Sequence, residues 1–128
     1  EGHSIGNHTY NHLNGFKTNK TGYIENIQKA AKLIKSNLFR PPYGRLKPSQ
    51  ARSIISKGYK IVMWDVLSAD FDISVTPEKC LKNVLSKTSS GSIIVMHDSY
   101  KAKDKVFYAL PKILSYFTEK GYVFKSID

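Results

Sequence analysis

His8 and His12 stand four residues apart in the stretch Gly2-His3-Ser4-Ile5-Gly6-Asn7-His8-Thr9-Tyr10-Asn11-His12, and no other part of the chain is better suited to chemistry. On a helical turn that spacing sets two imidazoles on one side, about 5–6 Å apart at Cβ. Two rings so placed suit adjacent corners of a divalent metal's coordination shell. A catalytic metal needs more than two histidines. It takes a third ligand, usually a carboxylate, and one position open to water. A bare His-x-x-x-His pair on a polar surface is otherwise coincidence, and the rest of the chain decides between the two.

Further polar residues recur in phase with the predicted strands. Arg40 follows the apolar pair Leu38-Phe39 and opens Arg40-Pro41-Pro42-Tyr43-Gly44, which cannot be helix interior. Asp65 and Asp70 follow the run Tyr59-Lys60-Ile61-Val62-Met63-Trp64, and His97-Asp98 follow Ser92-Ile93-Ile94-Val95-Met96. The last run is centred on the apolar, β-branched Ile93-Ile94-Val95, the composition of a buried parallel strand. Random surface polarity is not phased in this way.

The elements that must position these residues alternate. Ile24, Ile27, Ala31 and Ile34 give a helical spacing over residues 21–36. Pro48 suits the first turn of a second helix over 48–57, with Ala51, Ile54 and Ile55 inward and Gly58 as its stop. Thr76-Pro77-Glu78 reads as an N-cap followed by proline at the first helical position, opening a helix over 76–86 with Leu81, Val84 and Leu85 as its stripe. A last helix spans 106–120, Gly121 ends it, and Tyr122-Val123-Phe124 is expected as a closing strand. Helices alternating with strands imply a parallel sheet with crossover helices, and such folds gather their chemistry at the carboxyl ends of the strands. No linker or low-complexity tract interrupts the pattern, so residues 1–128 read as one domain or part of one.

Composition excludes several classes. Hydrophobic residues at 41% support a packed core, and no apolar run approaches the roughly 20 residues of a membrane span. The opening Glu-Gly-His is not a signal peptide. The single Cys80 rules out an internal disulfide framework and a cysteine-based zinc site. A net charge of +10 attracts polyanions, but the lysines are scattered along helical segments (Lys29, Lys32, Lys35, Lys79, Lys82, Lys87) and form no single basic patch, so no nucleic-acid partner is expected.

His8-Thr9-x-x-His12, Arg40-Pro-Pro-Tyr-Gly44, Trp64-Asp-Val-Leu-Ser-Ala-Asp70-Phe71 and Ile93-Ile-Val-Met-His97-Asp98, in this order, resemble the polysaccharide deacetylases of the NodB-homology type, carbohydrate esterase family 4. The resemblance covers essentially the whole chain. It implies an α/β fold, a distorted (β/α)-barrel of parallel strands with outer helices, and metal-dependent hydrolysis of N-acetyl or O-acetyl groups on sugar polymers. Residue by residue, His8 and His12 match the metal-binding histidines, and Arg40 the arginine that orients the catalytic carboxylate. Tyr43 matches the residue whose backbone N–H helps hold the oxyanion, His97 the general acid, and Asp70 the carboxylate that orients it. Val95 and Phe71 stand where the family lines an acetyl-methyl pocket with Leu and Trp. Trp64 reads as core or as a wall of the binding pocket, His3 as structural, and Asp98 as a turn residue. The implied cofactor is a divalent metal, zinc by default, with cobalt, nickel and manganese fitting the same donors.

The chemistry is coherent. A divalent metal lowers the pKa of water from about 16 to about 7, which supplies a nucleophile at neutral pH. A backbone N–H stabilises the oxyanion. A histidine delivers the proton that the leaving amine needs.

Two departures qualify the match. No Asp-Asp pair occurs in this sequence, and Leu67 stands where many members carry an aspartate. The family's Asp-Asp motif supplies the general base and the third ligand. The chain is therefore expected to be the C-terminal portion of one domain, an incomplete barrel, impaired in catalysis and prone to self-association through an open strand edge or bare sheet face. The expected substrate is an N-acetylated polysaccharide, peptidoglycan or a chitin-like glucosamine polymer, met outside the cell or in its envelope. An O-acetyl xylan esterase and a non-catalytic carbohydrate-binding or dimerisation remnant are the alternatives.

Overall fold

The computed structural model describes residues 2–127. The chain forms two compact units, one built on residues 2–63 with 126–127 and the other on Trp64–Lys125.

The first unit holds helices α1 (Lys20–Ala31) and α2 (Pro48–Ser56) and the parallel strands β1 (Leu38–Phe39) and β2 (Lys60–Ile61). Asn19 caps α1 by accepting the Gly22 N–H at 2.8 Å, satisfying a donor that the helix leaves unpaired. Its buried face is Tyr23, Ile27 and Ala30. The expected register put Ala31 and Ile34 inward. The helix instead ends at Ala31, and Ile34 lies beyond it. Tyr23, Ile27, Phe39 and Ile54 form the core, with Tyr23 set edge-on to Phe39. Among the described residues the buried Tyr23 hydroxyl has no hydrogen-bond partner, and burial pushes its pKa up to about 12.

On α2 the inner positions are Ile54 and Gln50, while Ile55 is exposed, contrary to the expected face. A glutamine can be buried here because every polar end is met. Its Nε2 donates to the carbonyls of Gly15 (2.9 Å) and Thr18 (3.1 Å), and its Oε1 accepts the Lys47 N–H at 2.9 Å. Gly15 is the residue that lets Gln50 approach. A Cβ there would fall 2.2 Å from the Arg45 carbonyl oxygen and 2.8 Å from Gln50 Oε1.

The second unit holds β3 (Val66–Leu67), α3 (Pro77–Leu85), β4 (Ile94–Val95) and α4 (Lys103–Glu119). Strands β3 and β4 are parallel, with Val66 opposite Ile94 and Leu67 opposite Val95. Thr76 caps α3 through the Lys79 N–H, as its sequence signature predicts. Helices α3 and α4 share a core of Cys80, Val84, Ala109, Ile113 and Phe117 with Val66. Burial pushes the Cys80 thiol pKa up.

Parallel strands and crossover helices are both present. The strands are shorter than the apolar runs suggest, and the expected run 92–96 contributes only Ile94–Val95. Strand β3 lies inside the motif Trp64–Phe71, past the predicted strand 59–64, of which only Lys60–Ile61 forms a strand. Residues Tyr122, Val123 and Phe124 are exposed and form no strand, so the closing strand is corrected. A two-residue strand forms only where a partner supplies its ladder, so composition alone overstates its length.

Candidate functional site

Each unit carries its own cluster of the residues singled out above. In the first, the segment holding His8 and His12 is not a helical turn, and that expectation is corrected. Asn7 forms an isolated parallel bridge with Phe39, its N–H bonded to the Leu38 carbonyl at 2.8 Å while its carbonyl accepts the Arg40 N–H at 3.0 Å. Thr9 and His12 then take left-handed backbone conformations, with φ of 61° and 53°. Such angles persist in non-glycine residues only where the surroundings fix them. Here Asn7, fully buried, accepts the Thr9 N–H on Oδ1 (3.0 Å) and donates from Nδ2 to the Ile27 carbonyl (2.9 Å). Asn26 on α1 accepts the N–H groups of Tyr10 and Asn11 at 2.8 and 2.9 Å.

The outcome is still a histidine pair, with ring centroids 5.0 Å apart. His8 Nδ1 bonds the Arg40 carbonyl at 2.5 Å. A carbonyl only accepts, so Nδ1 carries the hydrogen and the lone pair lies on Nε2. That is how a metal-ligating histidine is oriented. The pair offers two imidazoles close together, donors of a kind that a divalent ion takes. Among the described residues no group of three His, Cys, Asp or Glu could hold a metal ion. Glu25, exposed on α1, is the only carboxylate among the described residues of this unit.

Tyr43 packs edge-on to His12 with centroids 4.8 Å apart, and its backbone is left-handed at φ 58°. The neighbouring N–H groups of Gly44 and Arg45 close a short 3-10 turn onto Pro41 and Pro42. Among the described residues the Tyr43 N–H has no acceptor, which leaves it able to donate to an oxyanion. Arg40 is half-buried, and desolvation lowers its guanidinium pKa. No carboxylate among the described residues lies within ion-pair distance of that guanidinium. Its contribution in this structure is made by the main chain, which bonds Asn7 and His8.

In the second unit Asp70 and His97 meet directly. Asp70 Oδ1 is 2.7 Å from His97 Nδ1, and Oδ2 accepts the His97 backbone N–H at 2.5 Å. The Asp70 side chain is fully buried, and that of His97 is 34% exposed. The carboxylate fixes Nδ1 as the protonated nitrogen and leaves Nε2, on a ring that is partly exposed, as the nitrogen it does not engage. Phe71 stands edge-on to the His97 ring at 5.2 Å. His97 also lines an open groove of about 630 Å³ with Met96, Tyr100, Lys103, Val106 and Phe107. Val95 is buried on β4, and its carbonyl accepts the Ser68 hydroxyl at 3.0 Å. Trp64 is half-buried at the start of the unit. Asp65 is spoken for structurally, because its Oδ2 accepts the Ile93 N–H at 2.9 Å.

Sequence reasoning missed three supports. Asn26 sits on the same side of α1 as Tyr23, Ile27 and Ala30, and a polar residue at such a position was the available signal. Asn83 on α3 donates to the Ser68 carbonyl at 3.1 Å. Lys105 on α4 is only 9% exposed and donates to the Asp70 and Asp72 carbonyls. Nothing in the sequence distinguishes it from the exposed lysines.

Comparison with known proteins fixes the family. The family model described as polysaccharide deacetylase matches residues 1–62. A peptidoglycan-N-acetylglucosamine deacetylase of Bacillus cereus is 33% identical over 105 residues, covering 77% of this chain and 38% of the relative. A second of the same description and organism is 29% identical over 134 residues, covering 100% and 63%. Among solved structures, a peptidoglycan N-acetylglucosamine deacetylase in complex with 4-naphthalen-1-yl-N-oxidanyl-benzamide aligns with a TM-score of 0.86 and 30% identity, over 98% of this chain and 62% of that one. A polysaccharide deacetylase from Bacillus cereus aligns with a TM-score of 0.78 and 26% identity, over 99% and 68%. The chain belongs to the polysaccharide deacetylase family, as a domain of the NodB type. It spans 38% and 63% of the two sequence relatives named.

Proposed function

We propose that this chain is part of a metal-dependent deacetylase that removes N-acetyl groups from a sugar polymer of the cell envelope, with peptidoglycan as the first candidate. One observation carries the reading: His97 is held by a buried carboxylate that dictates its tautomer, in a chain whose relatives are named as peptidoglycan deacetylases. His8 and His12 would hold the ion, zinc by default. When bound, such an ion acidifies water and polarises the acetyl carbonyl. The chain's own residues do the rest. The Tyr43 N–H is available to the oxyanion, and His97 Nε2 delivers the proton to the departing amine. Phe71, beside the His97 ring, offers apolar surface to the acetyl methyl, Val95 is assigned to the same pocket by motif, and Trp64 is core or a wall of the binding pocket. The barrel of the NodB type belongs to this reading as well.

The test is acetate release from N-acetylglucosamine oligomers by pure chain, with and without added Zn²⁺. Slow release that a chelator and His12→Ala each stop is the expected result. Release that survives both removes the histidine pair from the reaction.

The chain is also expected to self-associate. In the second unit Ile73, Phe107, Leu110, Leu114 and Val123 are exposed, and apolar residues of this kind are what a second copy would cover. Light scattering after size exclusion reads this directly. A monomer at all concentrations, melting cooperatively, would show that this surface is tolerated in water.

A further inference from the structure

Lysine is almost never buried unless its charge is met, because an ammonium withdrawn from water loses far more than a neutral group does. Lys105 is buried on α4, and its Nζ is met by two main-chain carbonyls in the loop between β3 and α3. These are the carbonyl of Asp70, at 3.1 Å, and the carbonyl of Asp72. That loop carries the carboxylate that holds His97. Its path is not one that the backbone adopts cheaply, since Ala69 is left-handed at φ 63°.

The loop is suspended from three sides. Ser68 Oγ donates to the Val95 carbonyl on β4 at 3.0 Å and accepts the Asp70 N–H at 3.3 Å. Asn83 on α3 takes the Ser68 carbonyl. Lys105 takes the next two alternate carbonyls, those of residues 70 and 72. A methionine of similar length would fill the same space between α4 and the loop, yet it would leave both carbonyls without a donor. Buried ionic groups are often no more stabilising than apolar replacements, so a cation here points to placement of the loop more than to stability.

We propose that Lys105 is a positioning residue for the proton-delivering histidine. Its buried ammonium locks the 68–72 loop, the loop sets the Asp70 carboxylate, and the carboxylate fixes the orientation and tautomer of His97. The inference rests on the deacetylase reading for the role of His97, but its test needs no turnover.

The experiment is nitrogen-15 NMR of the His97 imidazole in the whole chain, comparing wild type with Lys105→Met. In the wild type a single tautomer with hydrogen on Nδ1 is expected, with that N–H protected from exchange. In Lys105→Met the protected resonance is lost and the two ring nitrogens move toward a common averaged shift. Val84→Ala, a cavity in the neighbouring core, serves as the control for general loosening and leaves the His97 signature in place. An unchanged signature in Lys105→Met overturns the proposal, as does equal loss in Val84→Ala. Should Lys105→Met not fold, Lys105→Leu, which likewise leaves both carbonyls without a donor, is read in the same way. Failure of both to fold, with Val84→Ala folded, would make Lys105 a support of the whole unit and also overturn it. Absence of acetate release bears on the deacetylase reading alone and leaves this result intact.

Discussion

Replacing Asp70 by alanine is expected to destabilise the chain by about 3 kcal/mol, because two charge-assisted hydrogen bonds converge on one carboxylate and each such bond contributes roughly 1.5–3 kcal/mol. The side chain is fully buried, so water cannot take over its role. Truncation leaves the His97 backbone N–H without an acceptor. It also leaves the buried ammonium of Lys105 with one negative charge fewer in its surroundings. Asp70→Asn is expected to cost less, since the amide oxygen can still accept one of the two N–H groups. The amide nitrogen would then face the other, which favours the wrong tautomer of His97. Urea denaturation followed by the fluorescence of Trp64, the single tryptophan, gives the ranking alanine worse than asparagine worse than wild type. A change in Asp70→Ala within about 0.5 kcal/mol, the range of ordinary surface substitutions, would mean that the carboxylate is dispensable to the fold.

The Asp70–His97 pair shows what was legible in the sequence. Each residue follows an apolar strand, and the parallel pairing of Val66 with Ile94 and Leu67 with Val95 brings the two strand ends side by side. Phase was enough to nominate His97, which follows the predicted run 92–96, whereas Asp70 was nominated behind the run 59–64 and is brought beside His97 by β3, a strand the sequence pattern did not reveal. The histidine pair was legible by type and spacing but not by backbone. Its imidazoles meet because Asn7 and Asn26 hold a left-handed loop, a tertiary effect that periodicity does not encode. Helix starts came through well where a side chain does the capping, as at Thr76, since that signal is local. Inner faces fared worse. Gln50 displaced an apolar residue because its partners, the carbonyls of Gly15 and Thr18, come from a distant segment. Lys105 was invisible for the same reason: its meaning lies in two loop carbonyls more than thirty residues away along the chain.

The isolated chain should deacetylate N-acetylglucosamine oligomers about 10²–10⁴-fold more slowly than the Bacillus cereus enzymes it resembles, the loss typical of a missing general base. On the proposed reading His97, oriented by Asp70, supplies the acid, and the described carboxylates near the site are already engaged. Asp70 has both oxygens committed to His97, and Asp65 holds the Ile93 N–H. Glu25 is exposed on α1 and is the only described carboxylate in the unit with the histidine pair. A small carboxylate added from solution should therefore raise the rate, and formate is the choice because acetate is the product. His97→Ala should abolish both the basal and the formate-stimulated rates, since protonation of the amine is needed in each case. Turnover within tenfold of the relatives, lost on chelation and indifferent to formate, would show that a carboxylate of this chain already serves as the base. Asp65→Asn would then be the first variant to make, since its amide oxygen can still accept the Ile93 N–H just before β4.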